Sequence, residues 1–296
     1  MGRTKKMTRM MKNAESAILE VFDKSPQAIF REKDLEEILD RKRADWQLAD
    51  RTRISDFVQF LLESSNMKSV RVEFPSRPLL RYTWGEVSIY KVVQSLKEGS
   101  YFSHQTAMYL HELSEQIPEV IYLNIEQTPK PPSSTSLSQS GIDRAFKGKP
   151  RMSNNMALYG NFSIRILNGK FTRNLGVLEV EMANGEKVPA TGLERTLIDI
   201  AVRPFYAGGV FDVLKAVQKA GGKVSVTKLM AILKKLDYAY PYHQVIGFYL
   251  EKSGAYNDSA IKLFRKPGIK FDFYLTYGMK QMEFSEEWRV YYPKGL

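Results

Sequence analysis

The order of hydrophobic patterns in the first 85 residues constrains the fold most. Apolar residues recur at helical spacing three times. Ala17, Ile18, Val21 and Phe22 form one stripe that ends before Ser25-Pro26, and Leu35, Ile38 and Leu39 form a second within REKDLEEILDRKR. The third, in ADRTRISDFVQFLLESS, places Ile54, Phe57, Val58, Leu61 and Leu62 on one face. Two alternating runs, KSVRVEF and LLRYTW, then flank Pro75-Ser-Arg-Pro78 and mark a hairpin. Three helices and a hairpin predict a winged helix-turn-helix over residues 13–85. The segment before it, MGRTKKMTRMMK, has five basic residues and no acid and reads as a flexible arm over 1–12.

In a winged helix the third helix enters the major groove and the hairpin touches phosphate. With the apolar stripe facing the core, Arg51, Thr52, Arg53, Ser55 and Gln59 are expected to face outward near the helix N-terminus. Arginine can read guanine in bidentate fashion, and glutamine can read adenine. Lys68 and Arg71 on the first hairpin strand, Arg77 at its tip, and Arg3, Lys5, Lys6 and Arg9 of the arm suit phosphate contact. Asp56 and Glu63 lie on the same outer face and oppose it. The competing reading is a degenerate winged helix in a protein-binding adaptor.

A formal charge of +11 and a pI near 9.5 point to a polyanionic partner such as double-stranded DNA. With 296 residues, 43% of them hydrophobic, the chain has material for two modest domains. No apolar run approaches the ~20 residues that span a bilayer. Acids in AESAILEVFDK occupy the place of a signal-peptide core. A soluble, cytoplasmic protein without a membrane partner is expected. Cysteine is absent, which removes disulfides, thiol catalysis and cysteine-based zinc sites.

A second unit is expected over residues 86–296. SIYKVVQSLKEGS and SHQTAMYLHEL read as helices and VIYLNI as a buried strand. Residues 128–155 break all periodicity and carry five basic residues against one acid, Asp143, so they read as a partly ordered basic loop. FSIRILNG and LGVLEVEM read as strands. Helices follow over 191–203, 210–220, 225–238 and 242–253, then strand-like KFDFYLTY and EWRVYYP. The expected class is α+β, a winged helix followed by a larger mixed α/β domain.

Motifs for catalysis fall short. His104 and His111 are seven apart, where a chelating pair on a helix wants a spacing of four, and His243 reads as a packing residue. Asn168-Gly-Lys-Phe-Thr172 lacks the spacing of a phosphate loop and reads as a turn, and Gly221-Gly-Lys-Val-Ser225 reads as the end of one helix and the cap of the next. Glu179 and Glu181 share a strand face, with Asp143 in the basic loop, which keeps a metal-dependent or RNA-directed nuclease as an alternative. The reading adopted is a non-enzyme with no cofactor and no metal.

The stretch LERTLIDIAVRPFYAGGV places two acids and two arginines in one apolar run. Thr191 and Glu194 match a capping box. Arg195, Asp199 and Arg203 are spaced four apart, as in surface pairs worth ~0.2–0.5 kcal/mol each. Gly208 and Gly209 allow a tight turn. With no nucleophile beside them, these residues read as framework. Together with GSYFSHQTAMYLHEL, YPYHQVIGFYLE and EEWRVYYP, the stretch resembles the AbiEi family of antitoxins from type IV toxin–antitoxin, abortive-infection systems. The resemblance implies a transcriptional regulator that binds DNA upstream of its own operon. It also implies an antitoxin that counteracts a nucleotidyltransferase-type toxin in phage defence.

Overall fold

The structure is a computed structural model that describes residues 9–129, 131 and 136–296. It is a mixed α+β fold whose chain divides into two compact units. The first holds residues up to Glu98 together with Ala157–Gly160, and the second holds Gly99–Met156 and Asn161–Leu296. The division falls later than the change in pattern near residue 86, because the helix Ile89–Gln94 belongs with the first unit.

The first unit runs α1 (Glu15–Asp23), β1 (Ile29–Phe30), α2 (Glu32–Lys42), α3 (Ile54–Ser64), β2 (Met67–Val72), β3 (Leu79–Trp84) and α4 (Ile89–Gln94). Its strands pair antiparallel in the order β1-β3-β2, with Lys68 opposite Thr83 and Arg71 opposite Leu80. A two-residue strand such as β1 has no readable periodicity and was not expected. Ile18 and Phe22 of α1, Leu35 and Leu39 of α2, and Phe57, Phe60 and Leu61 of α3 close the core. Burying each of these stabilises by roughly 1.5–3 kcal/mol. Phe22 stacks on Trp84 at 5.0 Å and Trp46 on Phe57 at 5.7 Å. The stripe of α3 differs in one place from its pattern. Phe60 is buried and Leu62, 38% exposed, is not.

Residues 9–13 are helical and Met11 is buried in this core, so the described end of the expected basic arm is docked by an apolar side chain. β6 (Met156–Tyr159) supplies a further partner: Glu73 and Leu158 exchange two backbone hydrogen bonds of 2.9 Å.

The second unit opens with β4 (Tyr101–Phe102), α5 (His104–Leu110) and β5 (Val120–Glu126), then α6 (Gln139–Lys147) and β7 (Phe162–Gly169). β8 (Val177–Glu181) and β9 (Lys187–Thr191) follow, and the strands lie in the order β7-β5-β4-β9-β8. β5 and β7 are parallel, and β8 and β9 antiparallel. Five helices come next: α7 (Leu193–Val202), α8 (Val210–Lys219), α9 (Val226–Leu236), α10 (Tyr242–Lys252) and α11 (Asp258–Arg265). A small sheet, β10 (Phe273–Tyr274), β11 (Met282–Ser285) and β12 (Val290–Pro293), ends the chain in the order β10-β12-β11. Trp288, fully buried, packs against Gly247 of α10, where a Cβ would collide with the indole.

α6 lies inside the stretch read as a basic loop. Only Ile142 and Phe146 of it are buried, too few to make a stripe. Tertiary contacts hold it instead. Phe146 stacks on Tyr277 at 4.3 Å, and the Gln139 amide exchanges hydrogen bonds of 3.0 and 2.9 Å with the Asp272 backbone. The Ser138 hydroxyl caps its start by accepting from the Gly141 N–H at 3.2 Å.

Candidate nucleic-acid interface

The N-terminus of α3 is built by a turn that sequence reading passed over. The Arg43 guanidinium donates to the carbonyls of Ala49, Asp50 and Thr52 at 3.1, 3.2 and 3.0 Å, and to Asp40 Oδ1 at 2.7 Å. Four donated bonds from one rigid fork fix the path of residues 49–52 into α3. Nothing local in RKRAD marks Arg43 from its neighbours, since its partners lie up to nine residues away.

From that turn Arg51, Arg53, Ser55 and Gln59 are exposed, as expected. Thr52 is a correction. It is 6% exposed, because the same turn tucks it inward. Arg51 and Arg53 make no ion pair among the described residues. The Gln59 amide donates to Glu63 Oε1 at 2.8 Å. Asp56 is half-buried and Glu63 exposed on the same helix.

On the hairpin, Lys68, Arg71 and Arg77 are all exposed. Lys68 pairs with Glu86 and Arg71 with Glu73, at 2.5 Å in the second case, so both charges are partly offset. Arg77 has no such partner among the described residues. Arg9 is exposed on the first helical turn, whereas Arg3, Lys5 and Lys6 lie outside the described residues.

The second cluster of interest, in LERTLIDIAVRPFYAGGV, is interior. Thr191 and Glu194 do not form a capping box. Thr191 is the last residue of β9, paired with Val177, so the cap position falls on Gly192. The Thr191 and Thr196 hydroxyls instead lie 2.8 Å apart, and the Thr191 carbonyl meets His111 Nε2 at 2.7 Å. Glu194 serves a different helix. It accepts from the Ser225 N–H at 3.2 Å and from Lys228 Nζ at 2.9 Å, at the start of α9. Burial works against the Glu194 charge, but the bonds from Lys228 and the Ser225 backbone outweigh it and lower its pKa.

Arg195 Nε donates to Asp199 Oδ1 at 2.8 Å, with both side chains under a tenth exposed, and Arg195 Nη1 donates to the Leu175 carbonyl at 2.7 Å. Burial disfavours the Arg195 charge, yet Asp199 holds its pKa above the ordinary value. The expected second pair is absent. Arg203, half-buried, forms no ion pair with Asp199, because the helix ends there with φ −136° and ψ 68°. Gly208 and Gly209 take φ of 84° and 107°, and a Cβ on Gly208 would strike the Asp212 carboxylate.

The remaining candidates scatter. His104 Nδ1 lies 2.8 Å from Ser103 Oγ, and His243 Nε2 lies 2.9 Å from the Gly268 carbonyl. No group of three or more His, Cys, Asp or Glu among the described residues could hold a metal ion. Glu179 and Glu181 are exposed on β8, with Glu181 3.7 Å from Lys187. Thr172 after β7 is bound through its backbone N–H to Glu126 at 2.8 Å, as in a turn. No helix among the described residues is long and apolar enough to cross a membrane.

The fold is similar to that in the crystal structure of the RV2827C protein from Mycobacterium tuberculosis. The TM-score is 0.59 at 13% identity, over 93% of this chain and 90% of that one. No family model and no curated protein matches the chain.

Proposed function

We propose that the first unit is a winged helix-turn-helix and that the protein is a cytoplasmic, DNA-binding autoregulator, an antitoxin of the AbiEi type, and not an enzyme. The order α1-β1-α2-α3-β2-β3 is that of a winged helix, with α3 as the recognition helix and the β2–β3 hairpin as the wing. The observation that carries the reading is the Arg43-clamped turn, which presents Arg51 and Arg53 uncompensated at the start of α3. Arg53, Ser55 and Gln59 read bases, and Arg51 and Arg77 contact phosphate. The antitoxin part rests on the resemblance of residues 86–296 alone, and its functional partner is a nucleotidyltransferase-like toxin.

The test is duplex binding to the region upstream of the protein's own operon, with Arg53→Ala and Arg77→Ala. Arg53→Ala weakens specific binding by about 5- to 150-fold and relaxes preference at one base pair. Arg77→Ala weakens all duplexes alike and lowers the salt slope by about 0.9. Parental binding by both variants refutes the assignment. Rescue of cells expressing an adjacent toxin gene tests the antitoxin role separately.

A further inference from the structure

The basic surplus is not concentrated where the duplex contacts are proposed. Residues 1–98 carry nineteen basic against fifteen acidic side chains, while residues 99–296 carry twenty-five against eighteen. Within the second unit, two segments meet Tyr277, and a third meets Tyr206 beside one of them. The Gly278 N–H donates to the Phe146 carbonyl at 2.8 Å, and Tyr277 stacks on Phe146. Phe205, two residues beyond Arg203, meets Tyr277 edge-on at 6.2 Å. The Ser153 N–H, two residues beyond Arg151, donates to the hydroxyl of the adjoining Tyr206 at 2.8 Å.

The charges of Arg203 and Arg151 both act on the half-exposed Tyr277, and further cations lie in the flanking segments. Arg144, Lys147, Lys149, Arg151 and Lys280 are exposed and form no ion pair among the described residues. Asp143 points elsewhere, accepting from Gln139 Nε2 at 2.8 Å and from the Tyr274 hydroxyl at 3.1 Å. Arg203 is half-buried and forms no ion pair among the described residues, and Asp199, on which its charge acts, is bound by Arg195. A half-buried guanidinium without an ion-pair partner gains from an anion brought to it.

We propose that the second unit binds single-stranded nucleic acid at Tyr277, with Arg144, Lys147, Lys149, Arg151, Arg203 and Lys280 contacting its phosphates. Cations beside a half-exposed aromatic ring fit a strand whose bases have free faces. A duplex keeps its bases stacked on one another, so Tyr277 would add nothing to its binding, and a poly-glutamate chain has charge but no ring to place there. This site is independent of α3 and the hairpin.

The experiment measures anisotropy of the full chain with short single-stranded RNA and DNA of mixed sequence, operator duplex, and poly-glutamate. Lys147→Ala/Lys149→Ala/Arg151→Ala, all exposed and so compatible with the fold, weakens single-strand binding by about tenfold or more. It also reduces the salt slope by about 2, as three lost phosphate contacts require. Tyr277→Leu weakens it by about tenfold. Arg53→Ala/Arg77→Ala leaves it unchanged while weakening duplex binding, which separates failure of this site from failure of the duplex site. Parental single-strand affinity in the triple variant overturns the proposal. So does poly-glutamate binding as tight as an oligonucleotide, or single-strand binding that follows Arg53 and Arg77. The RNA and DNA arms identify which sugar the site takes.

Discussion

His104 holds a backbone φ of 53° at the first position of α5, a region that bulky side chains rarely occupy. Its ring is packed against Tyr206 at 5.3 Å and Tyr122 at 6.3 Å, with Ser103 Oγ at Nδ1. Burial, and then the charges of Arg203 and Arg195, push its pKa well below the ordinary value. The sign follows. Neutral His104 contributes its full stability above the unfolded pKa of about 6.5, and that stability is lost as pH falls below it toward the folded-state value. One proton costs about 1.4 kcal/mol per pH unit across that window. Urea denaturation from about pH 7.5 down to 4.5 should show this slope setting in below about 6.5, and His104→Asn, which tolerates positive φ, should reduce it by up to one proton. His243, also lowered by burial, leaves a residual slope. Identical slopes in parent and variant would count against the buried neutral imidazole.

At the scale of elements, α7 is fastened by charge inside the core rather than along a surface. Removing the carboxylate with Asp199→Ala strands Arg195, 5% exposed, and should cost about 3–5 kcal/mol. Replacing both partners with Arg195→Met/Asp199→Leu should recover most of it, since a packed apolar pair needs no counter-charge. Chemical denaturation measures both, and an Asp199→Ala loss below about 1 kcal/mol would mean that water reaches Arg195. Duplex binding by the folded fraction should be unchanged in each. Long, patterned elements such as α3 and the β2–β3 hairpin were legible in the sequence, because their burial repeats locally. α6 and Arg43 were not, because long-range partners specify both. The Thr191–Glu194 spacing misled for a related reason. Local pattern cannot tell that a strand runs through Thr191 and displaces the cap by one residue.

For the whole molecule, the near balance of charge over residues 1–98 means that the proposed duplex recognition would rest on where Arg51, Arg53 and Arg77 stand, and less on a net field. A fragment of residues 1–98 should therefore retain preference for the operator over unrelated duplex. It should be less stable than in the intact chain by roughly 1–3 kcal/mol, having lost the two bonds between Glu73 and Leu158. Residues 99–296 should show no operator preference. Competition binding measures both, and operator preference in the second fragment would relocate the duplex site.

That same pair of bonds sets a schedule for synthesis. The first unit is drawn from both sides of Gly99–Met156, so emergence of Glu98 from the ribosome does not complete it. At about 5–20 residues per second, Leu158 follows only after roughly 3–12 s. Through that interval the tip end of the hairpin carrying Arg77 keeps an N–H and a C=O open at Glu73, the sort of unpaired edge on which nascent chains associate. A newly made copy thus carries its first unit at less than full stability until more than half of its length has been translated.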